Sequence, residues 1–312
     1  MSHILLTGAG FSKNWGGLLA EEFFSRLLSE DLDAKTRGLM FDARRQGGFE
    51  RVMTVLQEEH QALRTEETKT RLHQFTGAVL GIFNGMNNQF VYGKFEFQNE
   101  VRYMVRSFLE RFDAIFTLNQ DSLLESQYFH GFVGGRWSGV ALPGTREFGP
   151  QPRVQGSVLD RISTRTSDLG NLRIGGNQQP YLKLHGSANW VVDGRNEPLL
   201  ILGGGKQKAL QQHPLLVRYQ EIFLEHLCRP NNRLMIVGYG FNDEHINEAI
   251  LTGTKAALKI FIVDPRGVDA IAKIDKDQTV RPNLIGESTK ALTQTFGSDH
   301  VEHVHLASFF KN

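Results

Sequence analysis

Cysteine is almost missing from this chain of 312 residues, where Cys228 stands alone. A single thiol excludes an internal disulfide and a zinc site built from cysteines, and it suits a reducing compartment. An excess of charge of either sign is missing too. Lys and Arg number 35 against 34 Asp and Glu, a formal net charge of +1 with no long basic run, so bulk electrostatics gives no reason to expect a nucleic acid or a membrane surface as partner. Long apolar runs are also absent. The chain passes from Met1-Ser2-His3 straight into Ile4-Leu5-Leu6, without a basic leader and with too few apolar residues for a secretory signal or a membrane span. The expectation is a soluble cytoplasmic protein. There is no internal repeat, coiled-coil pattern or low-complexity tract.

What is present is an alternation of short apolar strands and amphipathic helices. Ile4 to Thr7, Ala114 to Leu118, Tyr181 to Leu184, Leu199 to Leu202, Leu234 to Val237 and Lys259 to Val263 read as strands. Leu215 to Leu227 reads as a helix, and another starts near Asp243. This order predicts βαβ units around a mainly parallel sheet. Between the first two strands the apolar residues recur at helical spacing. Leu18-Leu19, Phe23-Phe24 and Leu27-Leu28 predict about four turns of helix. Val52, Val55 and Leu56 repeat the pattern, as do Leu72, Phe75, Val79 and Ile82-Phe83, and then Val101, Met104-Val105 and Phe108-Leu109. The expected organisation is one unit over 1–312, with a Rossmann-like core from 1–16 and 112–312 and a helical block over 17–111. The Gly-, Pro- and Arg-containing stretch 125–180 has weak periodicity, and such long irregular segments are usually functional or serve as oligomer arms.

Polar residues and glycines sit just after several of these strands, where open α/β sheets assemble ligand sites. Gly8-Ala9-Gly10-Phe11-Ser12 offers backbone amides and a hydroxyl to a diphosphate, although such a turn can equally serve close packing. Val237-Gly238-Tyr239-Gly240 is a second glycine turn, and Asp264 closes the following strand. That acid is placed either to hold a ribose diol or to cap the next helix. Asn119 and His185 stand at two further strand ends and are the candidate catalytic groups, with Asp121 beside them. His185, at the ordinary imidazole pKa near 6.5, would accept a proton near neutrality.

Three other features read as structural. Gly203-Gly204-Gly205-Lys206 lacks the P-loop spacing and the following Ser or Thr, and reads as a glycine turn with a solvated lysine. His300, His303 and His305 alternate with Val301, Val304 and Leu306 as in a terminal strand, without metal-ligand spacing. Cys228, ending an apolar helical face, reads as a buried small hydrophobe.

In order and placement, Gly-Ala-Gly-x-Ser, Thr117-Leu118-Asn119-Gln120-Asp121, His185-Gly186, the late Gly-x-Gly turn and the strand ending in Asp264 resemble the sirtuin superfamily. The resemblance implies a Rossmann-like sirtuin fold that takes NAD as substrate. It implies that Asn119 positions water and the nicotinamide ribose, Asp121 contacts the nicotinamide amide, and His185 is the base toward a ribose hydroxyl. Gly8 to Ser12 would hold the diphosphate, with Gly238, Gly240 and Asp264 near the adenosine. Deacetylase sirtuins carry a four-cysteine zinc module, Gln before the Asn and a Pro-Asp-Phe-Arg segment, whereas this chain has one cysteine, Leu118 and Asn14-Trp15-Gly16-Gly17-Leu18. It is more similar to the sirtuin-like effector subunits of bacterial anti-phage systems, which implies an NAD hydrolase without zinc. It also implies a regulated abortive-infection role, a ring-shaped homo-oligomer with 125–180 as its contact arm, and a HerA-type hexameric ATPase as partner. The alternatives are an NAD-dependent protein deacylase and a non-catalytic NAD or ADP-ribose sensor.

Overall fold

The computed structural model describes residues 1–93, 105–129, 135–147, 162–167, 169–172, 174–192, 198–203 and 206–311. The chain opens with β1 (His3–Thr7) and one turn of helix, α1 (Ala9–Lys13). Before the second strand, the described residues form α2 (Ala20–Leu27), α3 (Ala34–Ala43), α4 (Gly48–Leu63), α5 (Glu66–Tyr92) and α6 (Val105–Leu109). Next come β2 (Ala114–Thr117), α7 (Leu123–Gln127), β3 (Gly139–Ala141), β4 (Thr145–Glu147), β5 (Ile162–Thr164), β6 (Gln178–Lys183), β7 (Gly186–Val192) and β8 (Pro198–Leu200). The remainder comprises α8 (Lys206–Leu210), α9 (Pro214–Leu227), β9 (Arg233–Val237), α10 (Glu244–Lys255), β10 (Lys259–Val263), β11 (Leu284–Ser288), α11 (Leu292–Gly297) and α12 (His300–Ala307).

Seven strands form one sheet in the order β11-β10-β9-β1-β2-β6-β3, with every neighbouring pair parallel. Parallel strands covered on both faces need continuous apolar sequence, which Ile4-Leu5-Leu6, Leu234-Met235-Ile236 and Ile260-Phe261-Ile262 supply. Their side chains alternate between two layers. Leu5, Ile115, Met235 and Phe261 pack with helices α2, α4, α5, α11 and α12, whereas Ile4, Leu6, Phe116, Ile236 and Ile262 pack with α9 and α10. The result is a Rossmann-like α/β fold. Strand order reverses at the β1/β9 boundary, with β2 and β6 on one side and β10 and β11 on the other. Such a switch point opens a crevice beyond the carboxyl ends of its strands.

At that crevice two glycine turns lie backbone against backbone. The Gly8 and Gly10 amides donate to the Val237 and Gly238 carbonyls, both at 2.9 Å. A Cβ on Gly10 would fall 2.6 Å from Gly238 Cα, and one on Gly238 2.4 Å from the Gly10 carbonyl carbon. Gly238 also has φ +62°, a left-handed conformation that a side chain disfavours.

Several expectations are corrected. The helix expected around 18–28 is shorter, because extended Leu19 is the N-cap of α2 and Glu22 closes back onto its amide at 2.9 Å. Leu199 and Leu200 belong not to the main sheet but to a second one, ordered β4-β5-β7-β8, in which β8 pairs antiparallel with β7. The histidine tract is a helix, α12, not a strand. Asp299 caps it by accepting from the Glu302 amide at 3.0 Å, and Leu306 is buried while Val301 stays exposed. The alternation of His and Val imitated a strand period over too few residues to distinguish the two. Cys228 ends α9 as its C-cap and is half-buried. Parts of the expected irregular stretch form β3, β4 and β5. Its residues 130–134 and 148–161, together with Val101, Met104, Gly204 and Gly205, lie outside the described residues.

The glycine contact sets an expectation for stability. Gly238→Ala adds both left-handed strain and a backbone clash, and lowers the unfolding free energy by about 2–4 kcal/mol. Gly81→Ala, on α5 with open space around it, raises it by about 0.5–1 kcal/mol. Urea midpoints of the two variants check this. A Gly238→Ala midpoint equal to the wild type would remove the turn-on-turn contact as a stabilising constraint.

Candidate active site

A cavity of about 1420 Å³ lies over the carboxyl ends of β1, β2, β9 and β10. This exceeds the ~300–1,000 Å³ of ordinary small-ligand pockets, leaving room for an extended dinucleotide. Its floor includes Gly8, Ala9, Gly10, Gly238 and Gly240, its walls include Asn119, Asp121, His185 and Asp264, and the helical segment adds Phe23, Phe49, Glu50 and Phe83. Nine of the eleven expected site residues therefore meet at one cavity. The other two, Phe11 and Ser12, are buried behind it, and Phe11 packs on Trp15 with ring centroids 5.2 Å apart. In the first turn Ala9 is the exposed residue, since the Gly8, Gly10 and Phe11 amides donate to protein carbonyls.

Three polar side chains are joined in series. Asn119 Nδ2 donates to Ser12 Oγ at 3.0 Å, and the Ser12 hydroxyl in turn favours the charged form of the Asp121 carboxylate. Asp121 also accepts from the Leu123 amide at 3.0 Å. Burial raises its pKa, against the opposing pull of Lys183, the Leu123 amide and Ser12. Register dictates this convergence. Thr7 pairs with Thr117 across β1 and β2, their hydroxyls meet at 2.7 Å, and the Asn119 amide donates to Thr117 Oγ1 at 3.0 Å. Lys183, wholly buried at the end of β6, reaches under the loop to the Asp121 carbonyl and the Glu125 carboxylate. From the helical segment, Asn87 on α5 accepts the Ser122 amide at 2.9 Å. The loop carrying Asn119 and Asp121 is thus held from two sides.

His185 stands two residues past β6 and is 2% exposed. Its Nε2 lies 3.1 Å from Nε2 of His245, the second residue of α10. Burial lowers the pKa of His185 to about 3, with Asp243 opposing the shift and Lys206 and His245 adding to it. This corrects the expectation of an ordinary imidazole. At neutral pH the ring is uncharged and open to accept a proton, but holds it only if negative charge compensates. That charge is close by. Lys206 Nζ bridges Asp243 Oδ1 at 2.7 Å and Glu50 Oε1 at 2.9 Å.

Lys206 is therefore not the solvated lysine expected of its glycine turn. Gly203, at φ +97°, brings the segment against α4, where a Cβ would meet Thr54 Oγ1 at 2.7 Å. Burial alone would lower the Lys206 pKa, but Glu50 and Asp243 raise it overall. Burial raises the Glu50 carboxyl, while Asp243, though burial opposes it, is held low by His185 and Lys206. Glu50, Lys206, Asp243 and His245 were absent from the expected site. Only the closeness of Asp243 and His245 to the second glycine turn signalled them.

Asp264, at the end of β10, accepts from the Arg266 amide at 3.0 Å and from Arg266 Nε at 2.9 Å. It thus organises its own turn while facing the cavity. Among the described residues, no group of three or more His, Cys, Asp and Glu is placed to hold a metal ion, and no helix is long and apolar enough to cross a membrane.

A parallel doubly wound sheet with a large crevice at its switch point defines a Rossmann-like class of α/β protein, whose ligands bind at that crevice. Residues 113–282 match the family model of the SIR2-like domain, and the chain belongs to that family. The matched span runs from the residue before β2 through Asn119, His185, His245 and Asp264. SIR2-like domains are generally NAD-dependent enzymes. No match is found among curated proteins.

Two consequences are measurable. His185 has its pKa depressed in the folded chain, so the unfolded state binds the extra proton between about pH 6.5 and 3. Its share of stability is complete above 6.5 and is lost as pH falls toward 3, at up to ~1.4 kcal/mol per pH unit. His185→Gln should flatten that part of a stability-against-pH curve, and an unchanged slope would show that the ring is not held neutral. Lys206→Met leaves two carboxylates without their cation. It is expected to destabilise by about 1–3 kcal/mol, less than for a fully buried pair because Glu50 keeps contact with water. Adding Glu50→Gln should recover part of the loss in the same denaturant series.

Proposed function

We propose that this chain is an NAD hydrolase, cleaving NAD to nicotinamide and ADP-ribose. The observation that carries the reading is the convergence of Asn119, Asp121 and His185 on one cavity floored by two glycine turns. In this reading NAD lies along the crevice, its diphosphate over Gly8 to Gly10, its adenosine toward Gly238, Gly240 and Asp264, and its nicotinamide beside Asn119 and Asp121. Breaking the bond between ribose and nicotinamide develops oxocarbenium character. Buried, preoriented polar groups favour that charge without reorganising. His185 accepts a ribose hydroxyl proton, Asn119 orients water, and water captures the sugar. Hydrolysis is favoured over acyl-lysine turnover because one cysteine cannot build the zinc module of deacetylase relatives.

Unrestrained NAD cleavage would harm the cell that makes the protein, so we assign the activity to a regulated, cytoplasmic abortive-infection effector in anti-phage defence. Its proposed assembly is a homo-oligomeric ring, with 125–180 as contact arm and a HerA-type hexameric ATPase as partner.

The test supplies NAD without peptide to the purified chain, alone and with the ATPase, and quantifies nicotinamide and ADP-ribose. Product is expected, reduced about 10²–10⁴-fold in His185→Ala and by a similar factor in Asn119→Ala. Turnover unchanged in both variants would overturn the site assignment. Nicotinamide release only on adding an acyl-lysine peptide would favour a deacylase, and tight NAD binding without turnover under any activation would favour a sensor.

A further inference from the structure

One contact at the cavity wall is not used by the proposed chemistry. His185 and His245 approach through their Nε2 atoms at 3.1 Å, with ring centroids 5.2 Å apart and planes inclined at 54°. Two imidazole nitrogens so close share a single proton, so one ring donates and the other accepts. Two N–H groups would repel head-on, and two lone pairs would do the same. The choice also decides the state of His185 Nδ1, the ring's other nitrogen. If Nε2 of His185 carries the proton, Nδ1 is a bare acceptor. If instead Nε2 accepts, Nδ1 carries a hydrogen and cannot serve as a base.

The surroundings favour the first arrangement. His185 is buried, whereas His245 is only partly so, and the less desolvated ring is the better lone-pair donor. Asp243 and Lys206 face both rings, Glu244 also faces His245, and Glu50 acts through Lys206. Asp243 favours a proton on the pair and Lys206 opposes it, and burial outweighs both, so the pair rests uncharged with one shared hydrogen.

We infer that His245 is a positioning residue, whose Nε2 accepts the Nε2 hydrogen of His185 and thereby fixes the tautomer in which His185 Nδ1 is the open base. For its kinetic consequence the inference rests on the proposed NAD cleavage. In that step the proton of a ribose hydroxyl moves to Nδ1, and the oxygen electron pair stays on the sugar. The Nε2 hydrogen remains on His185, where its bond to His245 becomes charge-assisted and shorter. No second proton transfer is needed.

Two readouts test this. Ring ¹⁵N NMR of the ligand-free chain at pH 7 is expected to show His185 protonated at Nε2 and bare at Nδ1. In His245→Ala the tautomers should mix, and in His245→Gln, whose amide oxygen can accept the same hydrogen, the wild-type tautomer should return. In NAD cleavage, His245→Ala is expected to lower kcat about 10²-fold with KM near the wild-type value, and the Gln variant should recover most of it. The acid limb of kcat/KM, shared by two coupled rings in the wild type, should become that of a single group in both variants. A bare Nε2 on His185 in the wild type overturns the inference, as does a His245→Ala enzyme with wild-type kcat and acid limb. Should the Ala variant fail to fold, the tautomer and acid limb of the Gln variant decide. A wild-type chain without NAD turnover would sink the functional reading instead, and the NMR tautomer alone would then decide the inference.

Discussion

The contact of the Gly8-Ala9-Gly10 turn with Gly238 is the constraint on which the rest depends. It joins the loops after β1 and β9, the two strands at which the sheet reverses its order. Loops at such a boundary ordinarily diverge to opposite faces. Here they touch through backbone alone, with the amides of Gly8 and Gly10 donating across the boundary. Any side chain at these glycines would force the loops apart and deepen the crevice between them. The floor of the cavity is therefore set by the absence of Cβ atoms as much as by any group present. Gly8 and Gly10 spend their amides on this contact, so the anion-binding capacity of the turn falls on fewer groups than its sequence implies.

Above that floor the polar groups are held by partners, not left loose. Asn119, Ser12 and Asp121 form one series, Lys183 supports the Asp121 carbonyl from below, and Asn87 holds the next amide from the helical side. A buried polar group without a partner loses its hydration with nothing in return, and a satisfied network of this kind fixes each member's orientation. The site is preorganised because the sheet register, through Thr7 and Thr117, places its members before any ligand arrives.

Much of this was legible in the sequence because the strands are buried on both faces. Continuous runs such as Leu234 to Val237 and Lys259 to Val263 announce themselves, and the residues just past a strand's carboxyl end can be read as site. Asn119, His185, Asp264 and both glycine turns were read that way, and the fold brings them to one cavity. The residues that escaped depend on partners far apart in the chain. Lys206 looks solvated until Gly203 is seen to press its segment against α4. Glu50 looks like one more acid on the exposed face of a helix, and His245 like a first-turn residue, until α10 is placed beside His185. Local period also misled at His300 to Leu306, where a single cap, Asp299, outweighed the apparent alternation. The pKa of His185 was illegible for the same reason, since burial is a property of everything packed around the ring.

Those missed residues change how the helical segment relates to the chemistry. Glu50 belongs to α4, Lys206 to α8, and Asp243 immediately precedes α10, so a single ammonium ties three elements together at the edge of the cavity. Asp243 stabilises positive charge on His185 and His245, and Lys206 opposes it. Whatever weakens the Glu50–Lys206 pair leaves Lys206 to Asp243 alone and reduces the negative charge that surrounds the histidine pair. Glu50, on a helix more than a hundred residues away in sequence, thus meets the histidine pair only through Lys206, whose charge opposes a proton there.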